Sequence, residues 1–378
     1  MSNKKYVCVV TWIGTINYGT CLQSFALNKV LSNMGYNPFM FSNYKFCYGI
    51  KHPIFTAKRL ISKLMTNNKS TSNDLDGFGE RIASNLEFQY SKIEMIDPTN
   101  RALYKEYYQN TICFISGSDQ IWNPEHLSEI FLLFFCDKTK KRIAYSSSFG
   151  TNYIPKNKRR LYSKNLKHFR RIGVREKTGL SLLETTLKYK GISDVVLDPV
   201  MLLTKEEWTS IERVPHLNKE LAEQKFVFCY FVGKRKDYDS DIELFLKKTN
   251  NKAIIATSES FVEHNYGENL SYLDVCEFIW LLNHSEVILT DSFHLTALAI
   301  MFKKPFIVFK RFNEYDKRSQ NSRIVDLLES FDISDRIYDS FSDFENALKP
   351  LDNTKIDNLL KNKVDKSLMF LKGGIDDD

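Results

Sequence analysis

One histidine, His294, lies where the sequence pattern predicts a ligand-binding edge of a β-sheet. The stretch Val287–His294, VILTDSFH, is an apolar run that ends in polar and aromatic residues. A helix-like apolar segment follows, and Pro305 then precedes a second apolar run that ends at Lys310 and Arg311. This pattern predicts a strand, a turn, a helix and a strand, with His294 at the C-terminal edge of a parallel sheet. Because ligands bind at that edge and helix N-termini favour anions, an imidazole that titrates near neutrality is placed there to move a proton.

Asp291, Ser292 and His294 also invite comparison with a hydrolytic triad. They share one turn, whereas the members of such a triad come from separate elements, and the chain has no G-x-S-x-G elbow. We therefore expect His294 to act as the acid or base without a triad. Asp291 and Ser292 are predicted to cap or position the turn, and Ser292 is retained as a candidate ligand contact.

A cation follows another predicted strand. Arg175 comes directly after the apolar run Ile172–Val174, in the motif GVREKTG. We predict that its guanidinium points toward the ligand, where it would hold a carboxylate or phosphate in bidentate fashion. The structural alternative is an ion pair between Arg175 and Glu176 or a neighbouring acid.

More cations follow the last clear strand. Lys310 and Arg311 continue it directly, and Arg323 precedes a run with helical spacing. Cations at a strand end suit a phosphate, so we predict ligand contacts for all three. A solvated run of surface charge is the alternative, and we favour that alternative for Lys317 and Arg318.

The glycine-containing loop Gly14–Gly19, GTINYG, follows the first predicted strand. Glycine lets the backbone approach a ligand, and a helix is predicted to begin just after the loop. Asn17 and Tyr18 are therefore candidate ligand contacts. A structural turn between strand and helix is the alternative.

A second polar loop, GSDQIWNP, spans Gly117–Pro124. Ser118 and Asp119 are predicted to bind sugar hydroxyls, and Trp122 is predicted to stack on the face of a sugar ring. The alternative is a capped helix start with Trp122 in the core.

The elements that must position these residues are short apolar runs that alternate with helical spacing. Tyr6–Trp12 is predicted to be a buried strand, followed by a helix that ends at Gly35. Further strands are predicted at residues 112–115, 143–145, 172–174, 195–197, 226–232, 253–256, 287–289 and 306–309. Each is followed by polar or glycine residues, which is typical of α/β proteins with parallel sheets. We predict two Rossmann-like α/β domains that face each other across a central cleft.

The domain limits follow from a charged helical stretch around residues 204–225. We assign residues 1–210 to the N-terminal domain, which would provide the acceptor side and a mobile loop at 66–76. Residues 211–345 form the predicted C-terminal domain with TDSFH. Residues 346–378 contain a helical pattern that could pack back on the first domain, and their end, GGIDDD, reads as a frayed tail.

Composition narrows the functional class. The 378 residues are 43% hydrophobic and carry a net charge of +7, spread along the chain. This charge fits a solvated lysine-rich surface, or attraction to phosphate-bearing substrates or an anionic membrane surface, and no motif supports nucleic-acid binding. Seven cysteines without a C-x-x-C pair read as core residues of a reduced compartment and make a zinc site improbable. With no signal peptide and no apolar span of about 20 residues, we expect a cytoplasmic protein, at most peripheral at the inner face of a membrane.

Taken in order, these motifs resemble the polysaccharide pyruvyl transferase family. The matching pieces are GTINYGTCLQSFAL, FISGSDQIWNP, YSSSFG, GVREKTG, LDPVMLLTKEEW and ILTDSFHLTALAI with KKPFIVF. They extend from about residue 10 to residue 330, so the resemblance covers most of the chain. The resemblance implies a two-domain fold like that of GT-B glycosyltransferases. It also implies transfer of pyruvate from phosphoenolpyruvate to a sugar of a capsule or exopolysaccharide precursor, giving a ketal.

By this resemblance the catalytic histidine maps onto His294, and an anion-binding arginine maps onto Arg175. A further cation follows the proline-containing strand, and the spacing leaves Lys310, Arg311 and Lys317 open. The implied donor is phosphoenolpyruvate and the implied acceptor is a sugar, with a lipid-linked oligosaccharide as one candidate. No metal or cofactor is expected. A nucleotide-sugar glycosyltransferase of the GT-B class and a non-catalytic binding protein of polysaccharide assembly are the competing interpretations.

Overall fold

Two parallel β-sheets organise the chain. The structure, a computed structural model, describes residues 4–43, 76–215, 224–257, 264–270, 273–312 and 319–377. The first sheet contains β1 (Tyr6–Val10), β2 (Asn37–Phe41), β3 (Met95–Ile96), β4 (Thr111–Ser116), β5 (Lys141–Ser147), β6 (Arg171–Val174) and β7 (Ile192–Val195). The second contains β8 (Phe226–Phe231), β9 (Lys252–Thr257), β10 (Glu268–Leu270), β11 (Val287–Thr290) and β12 (Phe306–Val308). Two sheets of this kind give the predicted α/β fold with two Rossmann-like halves.

Helices cover both sheets. The longer ones are α1 (Tyr18–Asn33), α2 (Asp76–Lys92), α3 (Arg101–Asn110), α4 (Lys156–Leu166), α7 (Asp239–Thr249), α8 (Val275–His284), α9 (Phe293–Met301), α10 (Ser322–Ser330) and α12 (Asn353–Asp376). Short helices α5 (Lys177–Ser181), α6 (Lys205–Thr209) and α11 (Phe344–Leu348) complete the set within the described ranges. Because helices lie on both faces, the strands are buried on both sides, which is why they are apolar runs rather than alternating ones.

Each sheet has a point where the direction of strand addition reverses. The first sheet has the order β3-β2-β1-β4-β5-β6-β7, so the reversal lies between β1 and β4. The second has the order β10-β9-β8-β11-β12, with the reversal between β8 and β11. The loops beyond these two strand pairs leave a crevice in which open α/β sheets bind ligands. The predicted loops at 14–19 and 117–124 and the TDSFH turn all lie at these points.

The two halves share an apolar core between them. Tyr18, at the start of α1, stacks on Phe278 of α8 with ring centroids 4.7 Å apart. Its hydroxyl donates to the carbonyl of Leu273, 2.7 Å away. Burial raises the pKa of Tyr18 far above its usual value, so the phenol stays protonated. Tyr18 is fully buried and joins the halves, which is a structural role; its contact with a ligand stays a prediction.

The C-terminal helix α12 lies against the first sheet. The backbone N–H of Leu197 donates to the hydroxyl of Ser367 on this helix, at 3.0 Å. Gly374 lies so close to β5 that an added Cβ would be 3.1 Å from the Ile143 side chain. The residues Gly373–Asp376 therefore continue the helix instead of fraying, because two glycines allow the helix to approach the sheet.

Several strand limits differ from the sequence prediction. Strand β1 ends at Val10, two residues before the predicted end, and β7 ends at Val195 instead of Leu197. Strands β2, β3 and β10 were not predicted. Of these, β3 and β10 are short edge strands, and strands of so few residues give little periodicity. Of the predicted mobile loop at 66–76, residues 66–75 lie outside the described residues, and Asp76 begins α2. No helix in the described part of the chain is long and apolar enough to span a membrane.

Candidate active site

A cleft of about 510 Å³ lies where the C-terminal edges of the two sheets face each other. Its lining includes, from the first half, Trp12, Thr15, Asn17, Thr20, Asp119 and Gln120, and, from the second half, Ser292, His294, Arg311, Phe312, Gln320 and Arg323. The volume is within the range of about 300–1,000 Å³ that is usual for small-molecule sites. The structure thus brings together six of the eleven predicted site residues along one surface, namely Asn17, Asp119, Ser292, His294, Arg311 and Arg323.

His294 occupies the first turn of α9 and is 6% exposed. Ser292 is the N-cap of this helix, and its hydroxyl accepts from the backbone N–H of Leu295 at 3.4 Å. The buried Nε2 atom of His294 lies 3.7 Å from Oδ2 of Asp198 and has no hydrogen-bond partner among the described residues. A local cap therefore fixes where the helix starts, and the start of the helix carries the imidazole to the opposite half of the protein.

The imidazole reaches across because residue 19 is glycine. A Cβ added at Gly19 would lie 2.5 Å from Cγ of His294 and still closer to Nδ1. Real Cβ contacts are never so short, so any side chain at this position in α1 would displace the ring. Asn17 caps the same helix, since its Oδ1 accepts from the Gly19 N–H at 2.8 Å. The close approach of His294 thus accounts for glycine at position 19, and the Asn17 cap fixes where the helix that carries Gly19 begins.

Arg175 is the centre of a buried ion-pair network. Its Nη2 lies 2.6 Å from Oδ2 of Asp198 and 2.7 Å from the hydroxyl of Ser118, and its Nη1 lies 3.3 Å from Oδ1 of Asp119. The ring of Phe293 lies 4.7 Å from its guanidinium carbon. Arg175 lines a separate cavity of about 260 Å³ and, like Ser118, is absent from the lining of the cleft. In this structure Arg175 therefore forms ion pairs with neighbouring acids, which was the alternative to a ligand contact. The prediction that its guanidinium points toward the ligand is not supported.

Asp119 connects this network to the cleft. Its Oδ2 accepts from the hydroxyl of Thr20 at 2.8 Å, while its other oxygen faces Arg175. Burial alone would raise the pKa of Asp119, but Arg175 and the nearby His294 outweigh it and hold this pKa at about 2. Asp119 is consequently an anion at any physiological pH and a hydrogen-bond acceptor at the edge of the cleft.

The ionisation of His294 differs from the expectation of a near-neutral group. Burial lowers the pKa of His294 to about 4, although the carboxylates of Asp198 and Asp119 oppose the shift. Arg175 and Arg323 add to the lowering because they repel a second positive charge. At pH 7 the imidazole of this structure is therefore neutral.

Arg323 is a cation of the cleft that forms no ion pair with the described residues, although Glu176 and Asp119 attract it from a distance. Its guanidinium is 5% exposed, and Nη2 donates to Oε1 of Gln320 at 3.0 Å. None of the ion pairs formed by the described residues includes it, and its buried Nε has no hydrogen-bond partner. Burial, with repulsion from Arg175 and Arg311, lowers its pKa to about 9. A buried cation without a carboxylate partner is costly, and an anion in the cleft would offset that cost.

Lys310 and Arg311 point to different sides of the chain that follows β12. The Lys310 ammonium pairs with Asp339 at 3.0 Å, and Lys310 does not line the cleft. Arg311 does line it; its Nη2 donates to the carbonyl of Asp291 at 3.0 Å, and its Nε lies 3.4 Å from the Asp291 carboxylate. The two side chains diverge because successive residues of an extended chain face opposite directions, and a ligand contact of Lys310 stays a prediction. Lys317 lies outside the described residues.

Trp122 is a core residue. It is fully buried, its indole N–H donates to the carbonyl of Phe131 at 3.0 Å, and its ring contacts Phe149 and Phe169. This is the alternative given for Trp122, a tryptophan in the core, and stacking of Trp122 on a sugar has no support in this structure. The tryptophan that does line the cleft is Trp12.

Asp198 was missed by the sequence interpretation, although it lies in the motif LDPVML. It is 2% exposed and accepts from Ser118 at 3.1 Å, in addition to its contacts with Arg175 and His294. The signal that selected Arg175, a charged residue shortly after an apolar run, also applies to Asp198. Asp291, by contrast, has the positioning role that was predicted, because its carboxylate accepts from the backbone N–H groups of Val232 and Gly233.

Comparison with known proteins supports both the motifs and the fold. A family model described as polysaccharide pyruvyl transferase matches residues 17–311. No curated protein matches the chain by sequence. A Listeria monocytogenes structure assigned as a UDP-N-acetylglucosamine 2-epimerase aligns with a TM-score of 0.50 at 8% identity, covering 99% of this chain and 97% of the other. The Anabaena protein HepE, solved in complex with UDP-glucose, aligns with a TM-score of 0.50 at 9% identity over 98% and 99% of the two chains. At these identities the likeness concerns the fold, which is the two-domain GT-B-like arrangement that was predicted.

Replacing Gly19 by alanine is expected to displace His294. In an open helix this change is favourable by up to about 1 kcal/mol, but here the added methyl would overlap the imidazole. Gly79→Ala in α2 is the matched control, since a Cβ there meets no atom within 4 Å. Urea unfolding should show that Gly19→Ala is less stable than the wild type and that Gly79→Ala is not. Equal stability of both variants would contradict the packing described for His294.

The stability of the protein should depend on pH through His294. Its folded pKa of about 4 lies below the ordinary value of 6.5, so the unfolded chain binds more protons between these values and stability falls as the pH falls. Between pH 7 and pH 4 the wild type should lose up to about 3 kcal/mol more unfolding free energy than His294→Gln. Urea unfolding of both proteins at several pH values measures this difference. Parallel curves would show that the imidazole is not held in its neutral form.

Proposed function

The chain belongs to the polysaccharide pyruvyl transferase family, and on that premise we propose that it transfers pyruvate from phosphoenolpyruvate to a sugar. The sugar would belong to a capsule or exopolysaccharide precursor, and the products would be a pyruvate ketal and inorganic phosphate. The observation that carries this proposal is the cleft at the TDSFH turn, in which a buried imidazole faces Arg311 and Arg323.

The charges of the cleft suit such a donor. Phosphoenolpyruvate is small and carries a carboxylate close to a phosphate, so it needs cations that converge on a small volume. Arg323 has no carboxylate partner among the described residues, and Arg311 lines the same surface. The N-termini of α1 and α9 also reach the cleft at Asn17 and Ser292, and helix N-termini favour anions.

The reaction requires an acid next to the methylene carbon of phosphoenolpyruvate. The methylene gains one proton and becomes a methyl group, while one sugar hydroxyl adds to the adjacent carbon and loses its proton. The bond from that carbon to the phosphate oxygen then breaks, and a second hydroxyl adds to close the ketal. One proton therefore ends on the methyl group, and the other leaves with the phosphate. We assign proton delivery to the methylene to His294, which lines the cleft.

This assignment needs a change in the ionisation of His294. In this structure the imidazole is neutral at pH 7, because burial lowers its pKa to about 4. A bound anion acts in the opposite direction, since a negative charge near the ring stabilises the imidazolium. We therefore propose that His294 takes up its proton together with the donor. Arg311 and Arg323 would bind the anionic groups and stabilise the departing phosphate.

The activity can be tested by phosphate release from phosphoenolpyruvate in the presence of a panel of small and lipid-linked galactosides. We expect release that depends on the acceptor. His294→Gln and Arg323→Gln should each lower it by about 100-fold or more, because they remove the acid and a charge that stabilises the transition state. Arg311→Met should lower it, and Lys310→Met should leave it within about twofold, since the Lys310 ammonium pairs with Asp339 outside the cleft.

The competing functions give different results in the same assay. No acceptor-dependent phosphate across the panel, together with tight binding of a uridine or guanosine diphosphate, would favour a nucleotide-sugar glycosyltransferase. Binding of phosphoenolpyruvate without turnover on any acceptor would favour a non-catalytic binding protein. Full activity of His294→Gln would remove His294 from the mechanism even if the transfer itself is observed.

Donor binding should take up a proton at His294. Calorimetric titration with phosphoenolpyruvate in buffers of different ionisation enthalpy measures the number of protons taken up on binding. Near pH 6 the wild type should take up more protons than His294→Gln, by as much as one, because the free imidazole has a pKa of about 4. By linkage, the donor affinity of the wild type should fall more steeply than that of the variant as the pH rises. An identical uptake in both proteins would contradict the proposed role of bound charge.

A further inference from the structure

One indole of this protein is placed differently from the other three. Trp122 and Trp208 are fully buried, and Trp280 is 8% exposed. Trp12 is partly exposed and lines the cleft. The proposed transfer of pyruvate does not use it, and sequence interpretation assigned it to the end of a buried strand. Since β1 ends at Val10, Trp12 leaves the sheet at the point where the ligand crevice begins.

The ring of Trp12 is held from behind. It packs against Phe131 with ring centroids 4.7 Å apart and planes inclined by 62°. Its backbone carbonyl accepts from the side-chain amide of Gln89 at 3.4 Å. Phe131 is 2% exposed, so the support belongs to the core. An aromatic ring fixed in this way loses little conformational entropy when a ligand is placed on it.

The surroundings of Trp12 suit a ligand with one apolar face and polar edges. Phe312 of the second half lines the same cleft, as do the hydroxyl-bearing Thr15 and the amides of Gln120 and Gln320. Gln120 and Gln320 lie 2.8 Å from each other across the two halves. A pyranose ring has this character, because its C–H groups form an apolar face and its hydroxyls project from the edge. These amides and hydroxyls carry no net charge. Because Gln320 accepts from Arg323 at 3.0 Å, the amides lie between the guanidinium group and the rest of this lining.

We propose that Trp12 is the platform of the acceptor subsite, on which the sugar ring stacks while Gln120 and Gln320 bind its hydroxyls. This inference rests on the proposed function and assigns the two substrates to different groups of one cleft. The donor anion lies at Arg311, Arg323 and His294, and the acceptor lies at Trp12. The cleft of about 510 Å³ is large enough for both, since sites for larger drug-sized ligands have similar volumes of about 300–1,000 Å³.

The first test uses the wild-type protein. Trp12 is the partly exposed tryptophan of the four, so iodide should quench mainly its fluorescence. Acceptor sugars of the galactoside panel should protect it from iodide, and phosphoenolpyruvate alone should protect it less. In Trp12→Phe the quenchable fraction should disappear, whereas Trp280→Phe, a change at a core position, should keep it. Absence of protection by every sugar of the panel would overturn the inference.

The second test separates the two substrates by kinetics. Trp12→Ala should raise the KM for the acceptor by about tenfold or more, as expected for loss of an aromatic contact of about 1.5 kcal/mol. The KM for phosphoenolpyruvate should change by less than about twofold, and Trp12→Phe should restore part of the acceptor affinity. Unchanged acceptor KM in Trp12→Ala, with phosphate release intact, would overturn the subsite and leave the proposed function standing. Sugar protection of Trp12 without any phosphate release would support the subsite and contradict the proposed function.

Discussion

The burial of the Arg175 guanidinium is the constraint on which the site depends. Its side chain is 1% exposed, and an isolated charge in that position would cost several kcal/mol. The protein places two carboxylates beside it, Asp119 from the loop after β4 and Asp198 from the segment after β7. The ends of strands β4, β6 and β7 are thereby connected at one point. His294, which enters from the other half, lies 3.7 Å from the same Asp198 oxygen, so the network also sets the electrostatic environment of the imidazole.

This network divides the charges of the site into two groups. Arg175 is satisfied by its two acids, and it lines a second cavity instead of the cleft. Arg323 and Arg311 line the cleft, and of these two only Arg311 has a carboxylate partner among the described residues, namely Asp291. The wall of the cleft is therefore held by paired charges, while Arg323 keeps a positive field where a ligand can enter. A cation buried without a carboxylate is tolerated in functional sites because its ligand completes the pairing.

The sequence predicts those features that depend on neighbours along the chain. The apolar run Val287–Leu289, the N-cap Ser292 and the helix after it are local, and the structure has them in the predicted places. Which tryptophan lines the cleft depends on residues that are distant in sequence. Phe149 and Phe169 pack against Trp122 in the core, and Phe131 packs against Trp12 at the cleft. The same holds for Lys310 and Arg311. They are adjacent in the chain after β12, but only the Arg311 side chain lines the cleft. Gly19 acquires its role through contact with His294, and Asp198 through contacts with His294 and Arg175, all of them distant in sequence.

The position of His294 between carboxylates and guanidinium groups has a consequence for any proton transfer in this cleft. Without a bound anion, a charged ring would be poorly solvated and would be repelled by Arg175 and Arg323. The imidazole therefore stays unprotonated. An anion bound at Arg323 cancels part of that repulsion while Asp198 and Asp119 continue to attract the proton. Asp119 does not supply a proton itself, because its pKa is held at about 2, and Asp198 is ion-paired with Arg175. The imidazole is thus the group whose protonation can respond to the ligand, and this coupling would form the acid only when the substrate that needs it is present.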